Sequence, residues 1–213
     1  MKINHDARML EIIRALPEGE KPRLLLHSYC GPCSGSVLEK LCGAFEVTLF
    51  YYNPNIAPYE EYLKRAKEQE RLLKELPFRV PMILGEWDNE TYRAAVRGLE
   101  DAPEGGERCI KCFRLRLDTT ARAAAAGRFD YFTTTLTVSP HKNADNVNRE
   151  GEAAGEAYHV KYLPSDFKKR DGYLRSLEIS REHSLYRQDY CGCVYSMRPD
   201  RKETGGTNDG HTA

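Results

Sequence analysis

Leu24-Leu25-Leu26-His27-Ser28-Tyr29-Cys30-Gly31-Pro32-Cys33-Ser34 is the stretch on which the reading of this chain turns. Its apolar run is short and bounded by Lys21-Pro22 and Gly31-Pro32, which favours a buried strand over a helix. A helical pattern from Ser34 to Leu41 follows, so Cys30 and Cys33 fall at the carboxyl end of a strand and just before a helix. In open α/β sheets that edge forms a crevice lined by loops and helix N-termini. A thiol at a helix N-terminus has a lowered pKa, which suits it to attack or to metal binding.

Working outward, Glu46 to Tyr52 has the aromatic and β-branched content of a second strand, closed by Asn53-Pro54-Asn55. Strand, helix and strand make a βαβ unit. Met9, Ile12, Ile13 and Leu16 recur at helical spacing before Pro17 and Gly19. A charged helix is expected over 58–76, a third strand over 80–84 and a helix over 90–99. A polar loop, 101–107, leads to Cys109-Ile110-Lys111-Cys112, which opens an alanine-rich helix ending near Gly127. Further strands are expected over 130–136 and 158–162, with helices over 146–154 and 173–181. Cys191-Gly192-Cys193 lies ten residues beyond the last of these. The alternation predicts an α/β fold with a mostly parallel sheet, in a single domain over 1–197. Residues 198–213, rich in Gly, Thr, Asn and charge, are expected to form a disordered tail.

Lysine and arginine number 32 against 32 acidic residues, so no global basic field attracts nucleic acid, and any such partner needs a local patch. No apolar stretch reaches the roughly 18 residues of a membrane span, and the N-terminus has no signal-peptide pattern, so the expectation is a soluble cytoplasmic protein with no membrane partner. In a reducing compartment the seven cysteines are expected as metal ligands or a transient redox pair.

Six of the seven come as close pairs: Cys30 with Cys33, Cys109 with Cys112, Cys191 with Cys193. Two pairs brought together provide a four-thiolate site for zinc or an iron-sulfur cluster. The third then serves a second metal or a dithiol that cycles through a disulfide. A zinc ribbon with two unrelated cysteines is the plainer alternative. Cys-Gly-Pro-Cys between strand and helix also fits a thioredoxin-like dithiol site. Cys42 reads as a buried apolar residue and His27 as a hydrogen-bonded core histidine. His141, Asn143 and Asp145 follow a strand end, where they either face the crevice or cap the loop. Lys168, Lys169, Arg170, Arg175, Arg181 and Arg187 interleave with Tyr173 and Tyr186, and Arg108, Lys111, Arg114 and Arg116 flank the second cysteine pair. This combination suits a structured RNA loop. Asp166, Asp171, Glu178 and Glu182 leave open a merely solvated helix.

Several segments together resemble the QueH-type epoxyqueuosine reductase family: Leu24 to Ser34, Phe50 to Ile56, Arg108 to Leu117, Phe132 to Lys142, and Asp166 to Cys193. The resemblance implies a cobalamin-independent enzyme of Rossmann-like fold, with helices on both sheet faces and its cysteine site at the carboxyl ends of the strands. Its substrate would be tRNA carrying epoxyqueuosine at the wobble position, and its product queuosine. It implies a [4Fe-4S] cluster on Cys30, Cys33, Cys109 and Cys112, with Cys191 and Cys193 as a redox dithiol or ligands of a second iron ion. His141, Asp145 or Tyr190 would deliver protons. Lys168, Lys169, Arg170, Arg175, Arg187 and Arg114 would contact RNA, and a ferredoxin or flavodoxin would donate electrons. No glycine-rich phosphate loop follows the first strand, so nothing supports ATP use. One position departs from the family: its adjacent cysteines at the strand end are Tyr29-Cys30 here. Cys33 then becomes the replacement ligand, with Cys191 or Cys193 as the alternative. A thioredoxin-like dithiol oxidoreductase and a zinc-stabilised tRNA-binding protein without redox activity are the competing classes.

Overall fold

The computed structural model describes residues 3–197; the expected tail lies outside them. Five parallel strands form one sheet: β1 (Arg23–Ser28), β2 (Glu46–Tyr51), β3 (Met82–Leu84), β4 (Tyr131–Thr134) and β5 (Lys161–Tyr162), in the order β3-β2-β1-β4-β5. β1 is central, with Leu25 opposite Thr48 of β2 and Phe132 of β4. The order reverses at β1, which opens a crevice beyond the carboxyl ends of β1 and β4 in the Rossmann manner.

The alternation along β1 explains the two-sided packing. Leu24 and Leu26 join Val37, Leu38 and Leu41 of α2 (Gly31–Leu41) on one face. Leu25 joins Leu117, Ala121 and Ala124 of α5 (Glu107–Ala126) on the other. α3 (Tyr59–Glu75) and α7 (Gly172–Glu182) pack beside α2, and α6 (Ala144–Tyr158) beside α5. α1 (His5–Arg14) adds Met9 to the Leu24 side, and α4 (Asn89–Ala95) rests on α5.

Local chemistry moved several expected boundaries. α2 starts at Gly31, not Ser34, because Pro32 in its first turn presets the helical φ, and Cys33 therefore lies within the helix. β4 stops at Thr134, whose hydroxyl accepts from Leu136 N at 3.2 Å and caps a 3-10 turn over Thr135–Val138. α6 runs on to Tyr158 and ends at His159 in the left-handed region, φ 55°, leaving β5 only two residues. Asp88 caps α4, which ends at Ala95 and not Leu99.

Candidate functional site

The first cysteine pair is set by hydrogen bonds that tie strand, helix and a third element together. Ser28 Oγ and Ser34 Oγ lie 2.7 Å apart, and both donate to Gln69 Oε1 of α3, at 2.6 and 2.7 Å. Cys30 is the extended residue before α2, and its carbonyl accepts from Cys33 N at 3.2 Å. The Cys33 thiol, with Gln188 Nε2 donating from 3.2 Å, pulls the Cys30 thiol down to about 6 against the opposing effect of burial. Its partnership with Cys30 and its own burial push Cys33 well above the usual thiol range. His27 is the core residue expected. Its Nδ1 is 2.8 Å from Thr134 Oγ1 and its Nε2 3.0 Å from the Tyr52 carbonyl, and burial lowers it to about 3.

On α5, Cys109, Cys112 and Arg116 follow at i, i+3 and i+7, so they share one face. Gly105 N donates to Cys109 Sγ at 3.2 Å, yet burial keeps that thiol raised, and burial lifts Cys112 to about 12. The third pair sits on a loop fastened to the segment after β2. Ala57 N donates to Gly192 O at 2.9 Å, and Tyr190 OH to Ala57 O at 2.8 Å. Tyr29 OH donates to the Cys191 carbonyl and accepts from Arg65 Nη1 at 2.9 Å. Gly192 has φ +98°, and a Cβ there would lie 3.0 Å from both Arg65 Nη1 and Ile56 Cγ1. Both the backbone and the space require glycine.

All three pairs therefore reach the crevice, in two adjoining cavities. A cleft of about 670 Å³ is lined by Cys30, Cys33 and Cys191 with Tyr29, Gln188 and Arg187. A narrow cavity of about 20 Å³ behind it is lined by Cys109, Cys112, Cys191 and Cys193 with Arg116 and Asn55. Cys191, Glu104, His141 and Lys142 line both. Among the described residues no three His, Cys, Asp or Glu side chains already stand close enough together to grip a metal ion. Cys42 is half-buried at the end of α2, not fully buried as expected, and burial lifts its thiol to about 11.

The structure sorts the other expected residues. His141 is exposed at the cleft. Asp145, in the first turn of α6, lines neither cavity; its carboxylate accepts from His5 Nε2 at 3.0 Å. Of the six basic residues expected at RNA, Arg187 lines the cleft. The other five are engaged elsewhere. Arg114 pairs with Glu150 at 2.7 Å, Arg170 with Asp6 at 2.8 Å, Lys168 with Asp166, and Lys169 donates to Asn4 at 2.8 Å. Arg175 is held by Glu39, Glu178 and Glu182. Sequence reasoning missed the site's Arg65, Lys142, Gln188 and Asn55, and read Arg116 only as part of a basic patch. The i+7 spacing of Arg116 from Cys109 was the available signal for it. Arg65 carries none, because α3 reaches the site only through the tertiary fold.

A family model described as epoxyqueuosine reductase QueH matches residues 24–199 of the chain. The chain is similar to epoxyqueuosine reductase QueH of Staphylococcus epidermidis, 43% identical over 202 residues that cover 92% of this chain and 85% of that one. The same protein of Streptococcus pyogenes serotype M1 is 42% identical over 202 residues, covering 92% and 79%. Among solved structures, the U34-tRNA thiolase NcsA from Methanococcus maripaludis with its [4Fe-4S] cluster shares the fold. Its TM-score is 0.52 at 13% identity, over 92% of this chain and 69% of that one.

Proposed function

This chain belongs to the epoxyqueuosine reductase QueH family, an oxidoreductase family acting on tRNA, and from that premise we propose how its side chains divide the reaction. Reduction of the epoxide breaks both of its C–O bonds, forms a C=C bond, releases the oxygen as water and consumes two electrons and two protons. The observation that carries the division is that six thiols line two adjoining cavities with Cys191 common to both.

The donor set fits a [4Fe-4S] cluster: four soft thiols line a cavity with a buried guanidinium, Arg116, whose largest electrostatic partners are the thiols of Cys112 and Cys191 and the phenols of Tyr29 and Tyr92. When bound, such a cluster supplies electrons one at a time. One partition puts Cys30, Cys33, Cys109 and Cys112 on the cluster and leaves Cys191 and Cys193 as the dithiol, or as ligands of a second iron ion. The common lining of the narrow cavity favours a second partition, in which Cys109, Cys112, Cys191 and Cys193 are the ligands and Cys30 with Cys33 is the dithiol. In either case the dithiol gives two electrons and two protons by closing to a disulfide.

The cleft admits the modified nucleoside, and His141, exposed at its wall, is placed to pass a proton to the departing oxygen. Asp145 is left out of this reading, because its carboxylate accepts from His5 Nε2 and lines neither cavity. Arg187 and Lys142 are the cations of the cleft wall that meet the phosphates flanking the wobble nucleotide. The ion-paired Lys168, Lys169, Arg170, Arg175 and Arg114 contribute a weaker, more distant field. A ferredoxin or flavodoxin restores the electrons. No helix among the described residues is long and apolar enough to cross a membrane, and a tRNA substrate supports a cytoplasmic site of action.

Protein purified without oxygen should carry about four iron and four sulfide per chain and convert epoxyqueuosine in tRNA to queuosine. Cys33→Ser and Cys193→Ser separate the two partitions, since only the variant that removes a cluster ligand loses sulfide together with iron. Zinc alone, or no turnover with a full complement of iron and sulfide, would overturn the proposal.

A further inference from the structure

Arg116 stands apart from the other guanidinium groups around the site. Arg65, also 1% exposed, is paired with Glu61 at 2.7 Å, and Arg108 donates to the carbonyls of Leu99, Glu100 and Ala102. Arg116 is 1% exposed and donates from Nε to the Cys112 carbonyl at 3.2 Å, while its Nη1 has no partner among the described residues. The rings of Tyr29 and Phe113 cover it at 5.7 and 5.8 Å. A desolvated cation without an anion is costly, so a buried guanidinium with an unpartnered nitrogen calls for a compensating charge. The groups that face Arg116 electrostatically are the thiols of Cys112 and Cys191 and the phenols of Tyr29 and Tyr92. Glu104 and Lys142 line the same cavity with opposite charges, so the net countercharge for Arg116 comes from cysteines bound to the centre as thiolates.

We propose that Arg116 is the fixed countercharge of the thiolate-bound iron-sulfur centre and holds its reduction potential up. The inference rests on the cluster reading above. Adding an electron makes the centre more negative, and a buried cation on the cavity wall favours the reduced form through a water-poor medium. Arg116 is thus a positioning residue for charge and does not touch the substrate. Asn55 lines the same cavity, is 1% exposed, and has neither side-chain polar atom partnered among the described residues. A carboxylate introduced there would compete with the centre for Arg116.

The test is a dye-mediated redox titration, followed by electron paramagnetic resonance, of protein loaded without oxygen. Arg116→Gln should lower the reduced-to-oxidised ratio at a fixed poise about tenfold, a shift of ~59 mV for a one-electron couple. Arg116→Lys should stay near the parent value. Asn55→Asp puts a carboxylate in the same cavity and should move the potential down by itself, and the shift should be no smaller in the Arg116→Gln background. If Arg116→Gln does not fold, Arg116→Met, which keeps much of the side-chain volume without the charge, gives the same reading. Loaded variants with the parent's potential would overturn the inference and leave the cluster reading standing. A parent protein with no iron or sulfide would overturn both.

Discussion

The phenol of Tyr29, at the carboxyl end of β1, donates its hydrogen bond to the backbone carbonyl of Cys191, 162 residues further along the chain. The same oxygen accepts from Arg65 Nη1 at 2.9 Å, so one side chain joins the central strand, α3 and the loop of the third cysteine pair. Removing that oxygen strands a buried guanidinium nitrogen and a carbonyl. Tyr29→Phe should therefore cost ~1–3 kcal/mol in urea denaturation. An unchanged midpoint and slope would mean that the loop is held by other contacts.

Gly192→Ala probes the same loop from its backbone. At φ +98° an added Cβ is strained, and at 3.0 Å from Arg65 Nη1 and Ile56 Cγ1 it is also crowded. The loop should shift, weakening the bond from Ala57 N to Gly192 O. Turnover of epoxyqueuosine-containing tRNA should fall at least about tenfold, as sub-ångström placement of reacting groups demands. Parent-like turnover would mean that the position of Cys191 and Cys193 is not critical.

The Cys33 thiol is the largest influence lowering Cys30, and Gln188 adds to it through its 3.2 Å hydrogen bond to the sulfur. In metal-free, reduced protein, alkylation of Cys30 should follow a titration with its midpoint at about 6. Only the thiolate reacts, so loss of the donor in Gln188→Leu raises the midpoint and slows alkylation at neutral pH. Peptide mapping of the labelled cysteine gives the answer, and an unmoved midpoint would leave Cys33 and Arg65 as the causes.

His27 contributes to acid sensitivity in a calculable direction. Burial lowers it from 6.5 to about 3, so the folded chain keeps it neutral where the unfolded chain takes up a proton. That contribution to stability is complete above pH 6.5 and is lost progressively as pH falls towards 3. His27→Gln should be less stable at neutral pH. Its stability should decline between those limits more gently than the parent's, by up to ~1.4 kcal/mol per pH unit. Denaturation curves across that window that ran parallel for the two proteins would contradict the assignment.

The basic residues should separate into two groups. Arg187→Ala, on the cleft wall, should weaken tRNA binding about tenfold and reduce the salt dependence by about one counterion. Arg175→Ala should leave binding nearly unchanged, because Glu39, Glu178 and Glu182 already hold that guanidinium. Equal losses from both in a filter-binding titration would show a binding surface that extends well beyond the cleft.

Much of this arrangement was legible locally. Apolar runs bounded by turn residues located β1 and β2, and helical spacing located α3 and α5, because side-chain periodicity is set within a few residues. Element ends were less legible where a short-range device intervened: Pro32 advancing α2, Thr134 capping the 3-10 turn, His159 closing α6 in the left-handed region.

The sequence by itself determined the α/β alternation, the delivery of Cys30 to a strand end, the pairing of six cysteines and the family. All of these are properties of neighbouring residues and of motif spelling. Only the tertiary structure decided that Cys191 borders both cavities, that Arg65 and Arg116 are buried beside the thiols, and that Asp145 turns to His5 while Lys168, Arg170 and Arg175 face carboxylates. Each of these joins or separates residues through the packing of different elements on the sheet. A charge's partner and its exposure are fixed by what folds against it, which no pattern along the chain encodes.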